Sequence, residues 1–416
     1  MSFFRPLLVP LIACWAIIHG AFNTTHAAPL AQEAYVWQRD WNPAVRQAVF
    51  ERGKLFAGLT VLAAEVSWKK DGLLFEPVAI DEALLEGIKT KVTLAVRINS
   101  LPGGLGYQPQ VDAELHRLLG AWCGRSKTAQ GLQIDFDCPE SKLEGYSRWL
   151  KELRARLPGV RLTITTLPSW LRQVAFGDLV KATDGYVLQV HSLARPVDLA
   201  TTYTLCDPAE AKQAVIEASR IGVPFAVALP TYGYLLAFTA HGKFIGLSAE
   251  GPRTQWPVGS KLKTVRADTD ALAGLVRDWT LTPPEHCTGL IWYRLPVQGD
   301  ALNWSWPTLQ AVMAGRTPKA DIASELRHPE ARLVEVDLRN QGEADGMFPR
   351  ELVVRARGAR MVAGDGLQGY EAVEQGVGEW VLRRTVADRL KPGERRMVGW
   401  VRLSEDGEVR IEISKN

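Results

Sequence analysis

Two carboxylates stand two residues apart in the stretch 131–139, GLQIDFDCP, where Asp135 and Asp137 alternate with apolar residues. Alternate side chains of a β-strand point to opposite faces, so both acids share one face and the apolar residues take the other. Like charges this close raise the pKa of one group, which suits a proton donor. Cleavage of a glycosidic bond requires such a donor and a second carboxylate. The pattern predicts acid catalysis, with Asp137 at the strand end as the donor and Asp135 as its orienting partner.

A third acid and an arginine complete the predicted charge pattern. Glu65 ends another predicted strand and is expected to act as a base or nucleophile from across the pocket. Arg97, on the strand before the acidic pair, is expected to keep Asp135 ionised, which leaves Asp137 the harder of the two to ionise. The alternative is structural: the acids pair with Arg97 and Arg294 in a buried, self-neutralising network without catalysis.

Eight strand signals alternate with helix signals along the chain and must position these side chains. The strand signals cover 34–40, 59–67, 92–99, 131–137, 161–167, 186–191, 225–232 and 289–295. Helix signals follow them, including an Asn42-Pro43 pair that predicts a cap and a first-turn proline. Eight βα units with short connections predict an α/β fold, a (β/α)8 TIM barrel.

Polar positions gather at the carboxyl ends of these strands, the face at which barrel enzymes carry their sites. If the apolar positions face the helices, the set that faces the barrel axis is Gln38, Asp40, Glu65, Arg97, Asn99, Asp135, Asp137, Gln189, His191, Tyr232, Trp292 and Arg294. The opposite set is apolar: Val92, Leu94, Val96, Ile98, Leu162, Ile164, Leu188, Val190, Phe225, Val227 and Leu229. The residues predicted to contact substrate are Gln38, Arg97, Trp170, Gln189, His191, Tyr232, Trp292 and Arg294.

Several of these residues have a structural alternative. Trp170 and Trp292 are predicted to stack on sugar rings, because an indole offers a flat apolar face and a polar edge. The alternative is that both tryptophans pack in the core. A lone histidine such as His191 is also compatible with a satisfied core position. The Gly103-Gly104 loop lacks the GxGxxG spacing of a nucleotide site. No CxxC or similar metal-ligand spacing occurs, so neither a metal nor another cofactor is expected.

The predicted barrel occupies 29–318, and its long seventh connection, 235–267, is expected to form a small hairpin over the barrel mouth. Residues 319–330 are polar and predict a linker. Short alternating strands follow at 333–338, 351–356, 379–384, 396–403 and 409–413. Their pattern predicts a small β-sandwich over 331–416.

Residues 1–28 have the pattern of a secretory signal peptide: an early arginine, an apolar run over 7–22 and small residues before the expected cleavage site. A periplasmic or secreted protein is therefore expected, with a lipoprotein anchored at Cys14 as the alternative. The other cysteines, Cys123, Cys138, Cys206 and Cys287, allow a disulfide without fixing a pairing. A net charge of +3 without a Lys/Arg run predicts no nucleic-acid partner, and no later stretch predicts a membrane span.

The acidic stretch resembles the fourth strand of the family 18 chitinases and their relatives, whose pattern is Asp-x-x-Asp-x-Asp-x-Glu. Gln130 and Gln133 replace the first two acids of that pattern. Asp135 matches the third acid, and Asp137 replaces the catalytic Glu. The resemblance implies sugar chemistry on a barrel.

Two further segments carry the resemblance. Pro230-Thr231-Tyr232-Gly233 is similar to the Pro-x-Tyr-Gly segment of those enzymes, and Trp292 stands where they have a strand-eight tryptophan. Over nearly all of residues 33–416, the chain is most similar to a bacterial family known as domain of unknown function 3142, which brings no established activity.

These observations predict an exported carbohydrate-active protein, a glycoside hydrolase-like enzyme that acts on an envelope or extracellular polysaccharide or oligosaccharide. A non-catalytic saccharide-binding barrel is one alternative, suggested by an aspartate in place of the catalytic Glu. An envelope assembly protein whose sandwich is the working surface is another. The sequence does not fix the sugar, the linkage, the stereochemical outcome or the oligomeric state.

Overall fold

The computed structural model describes residues 30–69, 72–99, 109–123, 129–249 and 255–414. The predicted signal peptide, with Cys14, and the Gly103-Gly104 loop lie outside these residues, as does the side chain of Cys123. Cys138, Cys206 and Cys287 are free thiols, so no disulfide joins these three.

The barrel is built from strands and helices that alternate from the first described residues onward. The first half contains β1 (Ala31–Val36), α1 (Pro43–Arg52), β2 (Gly58–Lys69), β3 (Gly72–Pro77), α2 (Glu82–Ile88), β4 (Lys91–Ile98), α3 (Pro109–Cys123) and β5 (Ala129–Phe136). The second half contains α4 (Leu143–Arg156), β6 (Arg161–Thr166), α5 (Val174–Lys181), β7 (Tyr186–Gln189), α6 (Pro208–Ser219), β8 (Phe225–Pro230), β9 (Gly233–Phe238), β10 (Phe244–Ser248), β11 (Lys261–Arg266), α7 (Thr269–Leu281), β12 (Cys287–Tyr293) and α8 (Trp306–Met313).

Eight parallel strands of the described chain close into the barrel, which confirms the predicted fold class. Their order around the barrel is β1, β12, β8, β7, β6, β5, β4 and β2, and β1 pairs with β2 to close the ring. Strand β3 pairs antiparallel with the end of β2 outside this ring. The register of β4 and β5 places Arg97 beside Asp135.

Local sequence signals explain how the helices begin. The predicted cap at Asn42 accepts hydrogen bonds from the backbone N–H groups of Ala44 and Val45, and Pro43 occupies the first turn. Asp207 and Asp268 cap α6 and α7 in the same way. Each cap thereby fixes the residue at which its helix begins.

Alternation along the strands separates the apolar layer from the barrel interior. All the residues predicted to face the helices, from Val92 in β4 to Leu229 in β8, are buried in one core between strands and helices. The long seventh connection contains the predicted hairpin, formed by β9 and β10, and a third antiparallel strand, β11, that the sequence pattern did not predict. No helix of the described residues is long and apolar enough to cross a membrane.

The C-terminal region forms antiparallel sheets around a second apolar core. Its strands are β13 (Ile322–Glu330), β14 (Leu333–Asn340), β15 (Gly346–Met347), β16 (Glu351–Arg357), β17 (Met361–Gly366), β18 (Tyr370–Gly376), β19 (Glu379–Arg384), β20 (Arg389–Leu390), β21 (Arg395–Leu403) and β22 (Glu408–Ile413). Two four-stranded sheets, β13-β14-β21-β17 and β18-β19-β16-β22, both contribute to the core. Residues 322–330 are therefore a strand paired with β14, not part of a linker as predicted, because Ile322 and Leu326 pack against this core. The division into domains stays a prediction.

Candidate active site

A cavity of about 180 Å³ lies at the carboxyl ends of the barrel strands. The residues that line it are Tyr35, Trp37, Arg97, Asp135, Asp137, Thr165, Gln189, His191, Ser192, Ala228, Tyr232, Tyr234 and Tyr293. They come from β1, β4, β5, β6, β7, β8, β9 and β12 or from the one to three residues that follow these strands. The cavity therefore occupies the face on which the sequence places its polar ring.

Charge is concentrated on the wall formed by β4, β5 and β6. Arg97 Nη1 donates to Asp135 Oδ2 at 3.2 Å, and Arg97 Nη2 lies 3.7 Å from Asp137 Oδ2. Thr165 Oγ1 donates to the other oxygen of Asp135 at 2.6 Å. The side chain of Asp135 is 10% exposed and that of Asp137 63%. One guanidinium thus joins a buried, doubly hydrogen-bonded carboxylate to a second carboxylate that opens to solvent.

Burial dominates the ionisation of Asp135. Removal from water raises the pKa of this carboxyl above its usual range, and the contacts with Arg97 and Thr165 offset only part of the rise. Arg97 acts on Asp135 in the expected direction, because it lowers the pKa of this carboxyl, but burial outweighs it and the net shift is upward. The desolvation cost of a buried carboxylate exceeds the gain from one partly exposed guanidinium.

The wall opposite β5 is aromatic. Tyr293 ends β12, which is four strands from β5 in either direction around the ring. Its ring lies 5.5 Å from that of Tyr35 and 5.4 Å from that of Trp37, measured between centroids. It also stacks on the imidazole of His191 at 5.6 Å. These rings give the cavity an apolar surface that faces the acidic pair.

A chain of neutral hydrogen-bonding groups also lines the cavity. The Tyr232 hydroxyl lies 3.4 Å from His191 Nδ1 and 3.1 Å from the Tyr234 hydroxyl, which in turn lies 2.6 Å from Ser192 Oγ. Burial lowers the pKa of His191 to about 3 and raises the pKa of Tyr232 well above its usual range. Imidazole and phenol are both uncharged at neutral pH, so this part of the cavity recognises polar groups without charge.

The structure brings six of the predicted site residues together at the cavity. They are Arg97, Asp135, Asp137, Gln189, His191 and Tyr232. Glu65 does not line the cavity: a register shift between Leu62 and Ala64 precedes it, and Arg39 holds its carboxylate with two hydrogen bonds of 2.6 and 2.9 Å. The catalytic roles of Asp135, Asp137 and Glu65 stay predictions.

Four predicted positions lie elsewhere. Trp292 faces the helices, where its indole N–H donates to Gln32 and its ring packs on Trp304, so its predicted inward orientation is wrong. Trp170 is buried in the same layer and cannot stack on a ligand in the cavity.

Arg294 and Gln38 also point away from the cavity. Arg294 Nη2 donates to Asp300 at 2.5 Å and to the carbonyl of Ala249 at 3.2 Å. Gln38 Nε2 donates to the carbonyl of Leu295 at 3.3 Å, and Asp40 is exposed. Neither side chain lines this cavity, because both hold loops, and their predicted contacts with a ligand stay predictions.

Sequence reasoning missed the aromatic wall and the threonine beside the acid. The missed residues are Tyr35, Trp37, Thr165, Ser192, Tyr234 and Tyr293. In β6, Thr163 and Thr165 alternate with the apolar Leu162 and Ile164. This alternation predicts that Thr165 faces the barrel interior. The run from Leu290 to Tyr293 in β12 is apolar on both faces and contains no such signal. Within the described residues, no group of three His, Cys, Asp or Glu side chains is placed to hold a metal ion.

Sequence comparison identifies the family of this barrel. The family model "Domain of unknown function (DUF3142)" matches residues 90–298, just over half of the chain. The chain belongs to this family. A second model, "Domain of unknown function (DUF8456)", matches residues 324–404 in the C-terminal sheets. A comparison with curated proteins found no match.

Several solved enzyme structures are similar in fold to this chain. The spore cortex-lytic enzyme SleL of Bacillus cereus is 13% identical, with a TM-score of 0.49 over 69% of this chain and 74% of that one. A chitinase of Chromobacterium violaceum is 14% identical, with a TM-score of 0.49 over 69% and 98%. A chitinase of Bacteroides thetaiotaomicron is 14% identical, with a TM-score of 0.45 over 64% and 90%.

Proposed function

We propose that this protein is an exported glycoside hydrolase-like enzyme that binds a saccharide in the cavity and cleaves it with Asp137 as the proton donor. One observation carries the proposal. Asp135 and Asp137 share Arg97 on one wall of a cavity whose opposite wall consists of aromatic rings. A ring of sugar between these walls has its polar edge toward the acids and its apolar face toward Tyr293.

The protonation states around the cavity favour a saccharide over a charged metabolite. His191 is neutral, and burial raises the pKa of Tyr293 above its usual range, so these groups recognise hydroxyl and amide groups without charge. Gln189 adds a neutral amide to the lining. The acidic stretch in β5 resembles the family 18 chitinase motif, and Asp135 matches the third acid of that motif. This resemblance supports the same class of ligand.

The arrangement of carboxylates favours a particular route. Hydrolysis by two carboxylates places them on either side of the scissile bond, about 5–9.5 Å apart. The carboxylates among the described lining residues are Asp135 and Asp137, and both lie on the β5 side. The nucleophile is then best supplied by the substrate, as the carbonyl oxygen of a 2-acetamido group.

The proposed reaction requires Asp137, the acetamido group of the substrate and one water molecule. Asp137 gives its proton to the leaving oxygen, and the C1–O bond breaks with its electron pair on that oxygen. The acetamido oxygen bonds to C1, and the Tyr293 ring in the cavity lining is proposed to stabilise the positive charge that develops there. Water, deprotonated by the Asp137 carboxylate, then bonds to C1 and releases the acetamido group. Asp135 holds Arg97, and through it Asp137, in place.

Saccharide binding without turnover is the second candidate. The side chain of Asp137 is one methylene shorter than that of a glutamate and is 63% exposed. It therefore reaches less far over the cavity than the catalytic glutamate of the family 18 chitinase motif, which it replaces. A binding protein needs the aromatic wall and the neutral polar groups but not the donor.

The experiment that separates the candidates is release of reducing ends from 2-acetamido oligosaccharides. Loss of a positioned general acid costs about 10²–10⁴-fold in rate, so Asp137→Asn should lose turnover by that factor. The exposed Asp40→Asn variant is the control and should match the wild type. No turnover by the wild type, with turnover gained in Asp137→Glu, would support the binding candidate. Equal turnover in wild type and Asp137→Asn would refute the assigned donor.

Export is proposed on the N-terminal pattern of residues 1–28. Mass spectrometry of the protein from its native host should find a mature N-terminus near Ala28. A diacylglyceryl group on Cys14 would instead make it a lipoprotein.

A further inference from the structure

A second groove adjoins the cavity and shares two residues with it. Arg97 and Asp137 line both the cavity and this groove of about 450 Å³, which also contains Asn99, Phe136 and Lys142. These two shared residues form the boundary between the two spaces. A chain of sugar units bound in the cavity would continue past Asp137 into the groove.

The two sides of this boundary differ in charge. The cavity contains one cation, Arg97, and two acids. In the groove, Asp137 is accompanied by Arg97 and by Lys142. The groove therefore has an excess of positive charge where the cavity does not.

Arg97 is already occupied by protein partners. Its Nη1 donates to Asp135, its Nη2 lies 3.7 Å from Asp137, and its Nε donates to Asn99 at 3.4 Å. Lys142 is the cation of the groove that remains available.

No described residue forms an ion pair with Lys142. Glu140 and Glu144, two residues to either side, do not line the groove, and Glu140 accepts a hydrogen bond from Gln173. The undescribed segments after β4 and before β5, 100–108 and 124–128, contain no acidic residue.

We infer that the groove binds the unit next to the sugar in the cavity, and that Lys142 selects an anionic substituent on that unit. The inference rests on the proposed function and extends it to a substrate class: a heteropolymer in which a neutral 2-acetamido sugar alternates with an acidic one. A lysine provides a point charge for a carboxylate, and its contribution is screened by salt because the groove is open.

The test compares two disaccharides that differ in one charge. Each disaccharide is titrated calorimetrically into the full-length Asp137→Asn variant. This variant lacks the proposed proton donor, so the ligand is not consumed. The first probe is N-acetylglucosaminyl-β1,4-N-acetylmuramic acid, and the second is its methyl ester, which has nearly the same shape without the charge. Lys142→Gln is the test variant, and it removes no helix cap because the Lys142 side chain makes none. Lys151→Gln, on the exposed side of α4, is the matched control.

The acid should bind about two- to fivefold more tightly than the ester at low salt, the range of one open ion pair. This preference should vanish in Lys142→Gln, persist in Lys151→Gln and shrink at high salt. Equal affinity for acid and ester, or a preference that survives Lys142→Gln, would overturn the inference and leave saccharide binding standing. Failure of both probes and of the uncharged dimer of N-acetylglucosamine to bind would overturn the proposed function and the inference together.

Discussion

Asp135 and His191 are buried titratable side chains in the lining of the cavity, and in both burial is the first cause of the pKa shift. It raises the pKa of the Asp135 carboxyl and lowers the pKa of His191 to about 3. Both shifts favour the uncharged form. The sequence placed Arg97 beside Asp135 correctly, but the depth at which the side chain sits depends on the whole barrel and is not visible in the strand pattern.

Replacement of Asp135 by Asn should stabilise the protein at neutral pH. The folded-state pKa of Asp135 lies above its ordinary value of 3.8, so wild-type stability falls as pH rises from about that value through the raised pKa. The Asn variant should lack this loss. Thermal unfolding at pH 3.5 and 7 should show a difference between variant and wild type that appears only at the higher pH, with Asp40→Asn as the exposed control. A difference that does not change with pH would contradict the assignment.

His191 should contribute the opposite dependence on pH. Its pKa falls from the ordinary 6.5 to about 3 in the folded protein, so the unfolded chain binds an extra proton between these values. Stability from this group is present above pH 6.5 and is lost on acidification, at up to about 1.4 kcal/mol per pH unit. Chemical denaturation from pH 7 to 5 should give a shallower decline in His191→Gln than in wild type. An equal decline of stability in wild type and His191→Gln would show that folding does not lower the pKa of His191.

The sequence predicted all eight barrel strands, but it predicted which side chains face the cavity only where polar and apolar residues alternate clearly. In β4 to β7, polar residues such as Arg97, Asp135 and Gln189 alternate with apolar ones, and all of them face the cavity as predicted. In β12, the run from Leu290 to Tyr293 is apolar on both faces, so its parity depends on packing alone. The irregular register near Ala64 in β2 likewise has no local signal.

The neighbours Trp292 and Tyr293 should separate stability from binding. Trp292 is buried beneath the helices and hydrogen-bonded to Gln32, so Trp292→Phe should cost about 1–3 kcal/mol of unfolding free energy and leave saccharide affinity unchanged. Tyr293 lines the cavity, so Tyr293→Leu should weaken binding about three- to tenfold. Denaturant unfolding and calorimetric titration of both variants measure this. A binding loss confined to Trp292→Phe would reverse the orientation of β12.

Among the described residues, the main core of the barrel and the core of the C-terminal sheets are joined by polar contacts. The barrel core lies within residues 30–313 and the second core within residues 322–413. Between them, Arg266 pairs with Asp345 at 2.5 Å, and Lys391 Nζ donates to the carbonyl of Asp300 at 2.9 Å. Arg316 and Glu343 form a further ion pair of 2.8 Å. Polar contacts of this kind add stability but do not make either core depend on the other.

Two truncations should therefore behave differently. A chain that ends at Pro318 keeps the barrel core and should fold, with a melting temperature lower by a few degrees because the polar contacts are lost. A chain that ends at Glu330 retains β13 without its partner β14 and exposes Ile322 and Leu326, so it should aggregate. Size-exclusion chromatography and circular dichroism of both chains provide the measurement. If the chain that ends at Pro318 is unfolded, the two cores are interdependent.

The cavity is proposed to cleave a saccharide whose own 2-acetamido group acts as the nucleophile, because the described carboxylates of the lining lie on one side. The most direct measurement compares the wild-type chain on two β1,4-linked tetrasaccharides, one of N-acetylglucosamine and one of glucose, which differ only at carbon 2. Proton NMR of the products should show cleavage of the first, with the β configuration retained in the first product, and none of the second. Cleavage of both at similar rates, or cleavage with inversion, would contradict the account.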